Sequence, residues 1–355
     1  MADVSEMQEV ETLLNRGLRN YWYPVAPSWM VREKPVGLTR LSENIVLWRD
    51  AEGKVHALED RCPHRGARLS LGWSLGDRVA CWYHGVEVKG DGVVARVPAQ
   101  TNAPMEGKRC VRSYHVQEKA GAIFVWFGDA LHAEPAPLTL PQELVADDYE
   151  AILCTAHWKC NYRYAIDNVM DPMHGAYLHA QSHSMAEGDK HAEMRLRKTD
   201  TGFVFEKANQ RGVNFDWTEF GVTDALWLRL EIPYGKQAGP GGAFTIVGMV
   251  APVDEEHCRV FFWRIRKIQK GWQRDTWKFL YRARLEGLHW AVLEQDRIVL
   301  EDMAPQAREH EFLYQHDAGL GRVRTVLQKE ARDQVRALNA AKAVAGEAPR
   351  AADVA

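Results

Sequence analysis

The sequence predicts an α+β protein: a small antiparallel β domain first, then a larger domain mixing an antiparallel sheet with long helices. Three observations predict this. Between Asn44 and Phe127 the chain breaks into brief apolar or alternating runs punctuated by Gly, Asp and Pro, the pattern of short paired strands. Residues 132–141, His-Ala-Glu-Pro-Ala-Pro-Leu-Thr-Leu-Pro, are proline-rich and extended, as a linker should be. Beyond them helical periodicity alternates with strand-like runs, and 355 residues leave room for about two domains.

In chain order, a short helix is expected over Val10 to Leu18, then an extended Tyr21-Trp-Tyr-Pro-Val, so residues 1–40 lead into the first domain. Domain 41–130 takes its strands from Ile45–Trp48, Val55–Leu58, Val79–Trp82, Val93–Val97 and Ala122–Phe127. The linker spans 131–145 and the second domain 146–340. There a helical pattern starts near Tyr162. Strand-like runs follow at Phe203–Phe205, Trp227–Ile232, Phe244–Val250 and Arg259–Ile265. A long helix is expected from Asp275, as N-cap, to about Met303. A last helix near Val323–Leu338 fades into an Ala-rich stretch, 341–355, expected to be disordered.

Composition excludes several classes. The formal charge is -3 with both signs spread along the chain, which gives no reason to expect nucleic acid or a charged membrane as partner. No apolar run reaches the roughly 18 residues of a spanning helix. The acidic start MADVSEMQEVETLL lacks a basic-then-apolar signal, so a cytoplasmic protein is expected. Six cysteines are too few for a disulfide framework at this length. Cys110, Cys154, Cys160 and Cys258 show no paired ligand spacing and read as small buried hydrophobes.

The other two cysteines carry chemistry. Arg61-Cys-Pro-His-Arg-Gly places Cys62 and His64 on one loop, and Cys81-Trp-Tyr-His-Gly places Cys81 and His84 on another. Each loop offers one thiolate and one imidazole. A [2Fe–2S] centre with two Cys on one iron and two His on the other needs this set, and the imidazoles raise its potential. A Cys2His2 zinc site is the rival, but it usually pairs like ligands on each knuckle, whereas here the types alternate. Four unrelated residues would leave Pro63, Gly66 and Gly85, all suited to tight metal-binding turns, unexplained.

A second constellation reads Asp167-Asn-Val-Met-Asp-Pro-Met-His-Gly-Ala-Tyr-Leu-His. His174 and His179 are five apart, about 140° of rotation on a regular helix, awkward for converging ligands. A wide i→i+5 turn would bring them together, with Pro172 removing a backbone donor and Gly175 relaxing the turn. His183 sits in a polar Gln-Ser-His-Ser run and reads as loop. Two imidazoles and a carboxylate with open positions form the facial triad of non-haem Fe(II) oxygenases. For the carboxylate, Leu285, Leu288, Val292, Asp296, Val299 and Met303 form one continuous helix face, apolar except for Asp296. A metal would remove the cost of burying that charge; a salt bridge to an arginine is the bland alternative. Glu294 and Asp302 lie off the stripe, and Glu301, beside it, is the reserve.

These motifs resemble the terminal (alpha) subunits of Rieske non-haem iron aromatic ring-hydroxylating oxygenases over almost the whole chain. A chain this short is most similar to the homo-oligomeric branch of phthalate dioxygenases and vanillate- or dicamba-type O-demethylases. The resemblance implies a Rieske [2Fe–2S] domain and a helix-grip (START-like) catalytic domain with a mononuclear Fe(II). It implies Cys62, His64, Cys81 and His84 as cluster ligands, and His174, His179 and Asp296, within Glu294-Gln-Asp-Arg-Ile-Val, as iron ligands. It further implies a homotrimer in which the working pair of centres spans a subunit interface. By motif position, His84 of one subunit meets Asp171 of the next, which also touches His174; Asn168 matches a polar neighbour found in part of the family. By its residues alone Asp171 is a turn or N-cap residue before Pro172.

No G-x-G-x-x-G lies between a strand and a helix, and Ala238-Gly-Pro-Gly-Gly reads as a turn. Electrons are therefore expected from a separate NAD(P)H-dependent reductase, with or without a ferredoxin. The expected function is a terminal oxygenase that activates O2 and mono- or cis-dihydroxylates an aromatic substrate, carboxylated or not. O-demethylation of a methoxylated aromatic acid is the alternative; a non-enzymatic Rieske electron carrier and a zinc-stabilised binding protein are the readings of other classes.

Overall fold

The computed structural model describes residues 4–181, 185–213, 215–234, 242–268, 271–304 and 306–347. Helix α1 (Val4–Arg16) buries Val10 and Leu14. The first domain then contains β1 (Trp22–Pro27), β2 (Val36–Arg40), β3 (Glu43–Arg49), β4 (Val55–Glu59), β5 (Trp73–Ser74), β6 (Arg78–Ala80), β7 (Glu87–Lys89), β8 (Val94–Arg96), β9 (Val116–Lys119) and β10 (Ala122–Trp126). They form three antiparallel sheets in the orders β1-β10-β9, β2-β3-β4 and β5-β6-β7-β8. The lead-in segment thus supplies strands β1 and β2 to the sheets of the first domain.

Strand β3 shows why this domain has two cores. Successive side chains on a strand face opposite ways. Ile45 and Leu47 join a core shared with the second domain, while Val46 and Trp48 join a separate core with Leu58, Val79, Val88 and the two motif cysteines. All four side chains are buried, so the run reads as continuously apolar rather than alternating.

The chain crosses over through α2 (Gln142–Val145), inside the expected linker, and enters the second domain: β11 (Tyr149–Trp158), α3 (Tyr162–Val169), β12 (Met194–Lys198), β13 (Gly202–Lys207), β14 (Trp217–Val222), β15 (Leu226–Ile232), β16 (Phe244–Pro252) and β17 (Cys258–Lys267). Helices α4 (Trp272–Leu280), α5 (Glu286–Glu301), α6 (Ala307–His310) and α7 (Ala318–Glu347) complete it. The sheet is seven-stranded and antiparallel, in the order β11-β17-β16-β15-β14-β13-β12. Three of its strands, β11, β12 and β14, were not expected: Met194-Arg-Leu-Arg-Lys at the edge is mostly exposed and carries little apolar signal. The two domains meet where Phe124 stacks nearly parallel on Trp263 at 6.2 Å and the Trp263 indole N–H donates to the Ala120 carbonyl (2.7 Å). Helix α1 packs on α7, and Arg336 and Asn339 reach Glu6 and Glu9.

Several expectations need correcting. The N-terminal helix starts at Val4 and ends at Arg16, earlier than Val10 to Leu18. The long helix begins at Trp272 after Gly271, whose φ of +80° ends the preceding chain direction; Asp275 lies in the first turn and is not the cap. It is also interrupted by a π-turn over Tyr281–Leu285. The last helix runs to Glu347, so 341–347 are helical, while 348–355 lie outside the described residues. So do His183 and Ala238–Gly241.

Candidate metal centres

The cluster loops are built alike. The Cys62 N–H donates to the Ala67 carbonyl (2.8 Å) and the Gly66 N–H to the Cys62 carbonyl (2.9 Å). In the second loop the Cys81 N–H donates to Val86 (2.9 Å) and Gly85 to Cys81 (2.8 Å). Gly66 and Gly85 sit at φ +77° and +71°, where a side chain would be strained, so the glycines are what lets each loop double back. Both cysteines are buried, 2% and 1% exposed, whereas His64 and His84 are exposed with ring centroids 4.7 Å apart. Burial, helped by the neighbouring Cys81 thiol, pushes the Cys62 thiol up to about 11, against the backbone N–H groups of His64 and Arg65 that point at its sulfur. Two buried thiols clamped against each other beneath two surface imidazoles, with backbone donors aimed at sulfur, fit a Rieske cluster.

The second centre forms after α3. The helix stops at Val169; Asp171 then accepts from the Met173 N–H (2.7 Å), and a separate 3-10 turn, His174–Ala176, carries the first histidine. The expected i→i+5 turn is absent: Tyr177 and Leu178 both donate to the His174 carbonyl. The imidazoles converge because His174 leaves the helix before its turn starts, not because one helix is widened. Their centroids lie 5.0 Å apart at 76°. Gly175 does not relax the turn through an unusual φ; a Cβ there would meet the Phe215 ring at 2.8 Å, and that ring packs edge-on to His174 at 5.1 Å.

Asp296 arrives from α5. Its Oδ1 lies 3.1 Å from His179 Nε2 and 3.5 Å from His174 Nε2, and ligand atoms of the three residues all fall within 4.8 Å of one another. The predicted stripe is only partly the buried face. His289, Leu293, Asp296 and Leu300 are buried, while Leu288, Val299 and Met303 are 52%, 45% and 44% exposed. Asp296 belongs to both faces, which differ by about one residue of rotation. Glu301, the reserve, instead caps the Lys159 N–H and pairs with Arg297, and Glu294 pairs with Arg297 at the surface.

Outer partners hold the triad. Asn168 donates to Asp296 Oδ1 (3.2 Å), and Asp171 Oδ2 lies 3.7 Å from His174 Nδ1, an ionic contact too long for a hydrogen bond. Gln295, which the sequence reading missed although it adjoins Asp296, accepts from His179 Nδ1 (2.8 Å). That bond leaves the Nε2 lone pair facing Asp296. Burial opposes charge on His174, but the Asp171 and Asp296 carboxylates outweigh it and push the imidazole up to about 9. Burial likewise opposes a charged Asp296, yet the two histidines hold it down to about 2. Two imidazoles and a carboxylate facing one point fit a divalent Fe(II).

The triad opens into a cavity between the sheet and α5, lined by Val169, Leu230, Ile232, Ile246, Phe262 and Leu293 among others.

A domain with two Cys/His loops, joined to an antiparallel domain with a His/His/Asp triad over an apolar cavity, defines the Rieske non-haem iron oxygenase class. Residues 21–115 match the Rieske [2Fe-2S] domain and residues 158–333 the vanillate O-demethylase oxygenase C-terminal domain. With these two domains matched, the chain belongs to this family of Rieske oxygenases. It is 38% identical over 172 residues to the vanillate O-demethylase oxygenase subunit of Pseudomonas sp. (strain HR199 / DSM 7063), covering 48% of each chain. To the dicamba O-demethylase oxygenase component of Stenotrophomonas maltophilia it is 36% identical over 162 residues, 46% of this chain and 48% of that one. The matches span about half the length of these relatives. The fold matches dicamba monooxygenase bound to dicamba (TM-score 0.71, 23% identity, 90% of this chain and 99% of that). It also matches the oxygenase of the carbazole 1,9a-dioxygenase oxygenase–ferredoxin complex (0.75, 21%, 93% and 94%). No helix is long and apolar enough to cross a membrane among the described residues.

Proposed function

We propose that this chain is a terminal oxygenase that takes electrons from a separate NAD(P)H-dependent reductase, directly or through a ferredoxin, and oxidises an aromatic substrate with O2. One observation carries the reading: a second, largely buried triad of candidate ligands opens into a mostly apolar cavity. A mere electron carrier needs neither. When bound, the cluster at Cys62, His64, Cys81 and His84 supplies single electrons, and the iron at His174, His179 and Asp296 supplies the oxygen chemistry. The residues do the rest. Gln295 and Asn168 orient His179 and Asp296. Leu230, Ile232, Ile246, Phe262 and Leu293 hold an apolar ring and exclude water. Exposed Trp82 and Tyr83, beside His84, suit docking of a redox partner.

Three of the relatives are O-demethylases, and residues 158–333 match the vanillate O-demethylase oxygenase C-terminal domain. That favours O-demethylation of a methoxylated aromatic acid over ring hydroxylation. The test is metal analysis of the purified protein, then turnover of methoxybenzoates with a reductase, NADH and 18O2. Cluster iron with labile sulfide, one further iron per chain, and NADH- and O2-dependent release of formaldehyde with an unlabelled phenol support O-demethylation, whereas 18O in a ring hydroxyl supports ring hydroxylation; zinc without sulfide overturns the reading.

We also propose a homotrimer in which Asp171 links the iron-site His174 of its own chain to His84 of a neighbour. The exposed apolar side chains of Leu288, Ile298, Val299 and Met303 on and just after α5, and Phe312 beyond it, support a covered face. Asp171→Asn keeps the acceptor for the Met173 N–H, so both centres and the trimer are expected to assemble. Reoxidation of reduced cluster in a single turnover is expected to slow roughly 10- to 100-fold. Wild-type rates in this variant would sink the proposed link.

A further inference from the structure

We propose that Arg264 is the counter-cation for an anionic group on the substrate, so that the cavity selects aromatic acids over their neutral analogues. This rests on reading the cavity as the substrate pocket.

Arg264 is 2% exposed and lines the cavity with its strand neighbour Phe262; on β17 the two point the same way because they are two residues apart. The part-buried arginines are matched to acids: Arg229 reaches both Glu143 and Glu219, and Arg324 reaches Asp167 and Glu311. The other two fully buried arginines donate to strong backbone acceptors, Arg40 to the Thr39 and Val25 carbonyls and Arg266 to the Gly242 carbonyl. Arg264 has neither kind of partner among the described residues. Among the described residues no Asp or Glu forms an ion pair with it. One terminal nitrogen is directed at the Cys154 sulfur, a weak acceptor, and its buried Nε has no hydrogen-bond partner. The guanidinium carbon lies 5.6 Å from the Trp290 ring centroid, a contact that adds no negative charge.

A desolvated cation without a counter-ion is costly, and a bound carboxylate or sulfonate removes that cost while accepting paired N–H bonds. Apart from Arg264, Asn168, His289 and the triad, the walls are apolar, so the rest of the ligand is a ring or chain rather than a sugar or nucleotide. His289, whose Nε2 lies 3.1 Å from the Tyr234 hydroxyl, adds a polar group to the same cavity. The His174–His179–Asp296 triad lines it too, so an acid held at Arg264 shares its space with the triad.

The test is calorimetric binding to the holoenzyme of 4-methoxybenzoate, 4-methoxybenzenesulfonate and the neutral 4-methoxybenzamide. At least one anion is expected to bind about tenfold or more tighter than the amide; which anion does so names the group. In Arg264→Met that preference should vanish with amide affinity unchanged, and Arg264→Lys should keep part of it. Arg264→Met should melt at or above the wild-type temperature, because the only protein acceptor it leaves among the described residues is the weak Cys154 sulfur. Equal affinity for acids and amide in wild type, no binding of either anion, or a preference that survives Arg264→Met overturns the proposal. Cluster absorbance and bound iron are measured on the same samples. Protein that lacks them sinks the oxygenase reading, whereas loaded protein that fails to discriminate sinks only the role of Arg264.

Discussion

Asp296→Ala is expected to lose the mononuclear iron and all product formation while keeping the cluster's spectrum. Asp296 is the only carboxylate among the described residues that converges with His174 and His179, and it is 7% exposed. No water-exposed acid stands ready to replace it: Glu301 is held by Arg297 and the Lys159 N–H, and Glu294 by Arg297. Removing an outer-shell partner usually costs 10–100-fold in metal affinity, so loss of a direct ligand should exceed about 100-fold. The cluster loops have their own core, which Asp296 does not touch, so the visible spectrum should be unchanged. Glu294→Ala, on the exposed side of the same helix, should retain iron and turnover. Metal analysis of both variants decides it; iron retained in Asp296→Ala and lost in Glu294→Ala would show that the wrong acid was chosen.

Cys62→Ser is expected to abolish the brown colour and the reduced-cluster EPR signal while iron still loads at the triad. The serine oxygen is a poor substitute for a thiolate, and its shorter bond to Cβ leaves it short of where the sulfur sat. The lesion should also be felt in stability. Cys62 packs in the small core with Val46, Trp48, Leu58, Leu69 and Val88, so the variant places a hydroxyl where a near-apolar thiol was buried. That core is separate from the one beneath the triad, which is why a variant without a cluster should still bind the second iron. A cluster spectrum surviving in Cys62→Ser would remove Cys62 from the ligand set.

Much of this was legible in the residues. The alternating Cys/His pairs, their flanking glycines and the short strands around them are local, and so are the turns they demand. The histidine pair was legible too, but the way it converges was not. Periodicity treats 162–179 as one helix, whereas packing against Phe215 and the break at Asp171-Pro172 make it a helix followed by a separate turn. Asp296 was chosen on a face that is half exposed, because a count of apolar residues cannot place a buried His289 or foresee the π-turn at Tyr281–Leu285.

The sequence by itself determined the candidate ligand types, their order and the succession of a Rieske-type and a second domain, because each rests on chemistry within a few residues. Only the tertiary structure decided which side chains share a space. Gln295 meets His179, Asn168 meets Asp296, and Arg264 faces the cavity without a carboxylate partner. Those pairings join residues about a hundred positions apart, brought together by a sheet whose first strand, Tyr149–Trp158, pairs with its last. Such registers are set by long-range burial, on which a local pattern is silent.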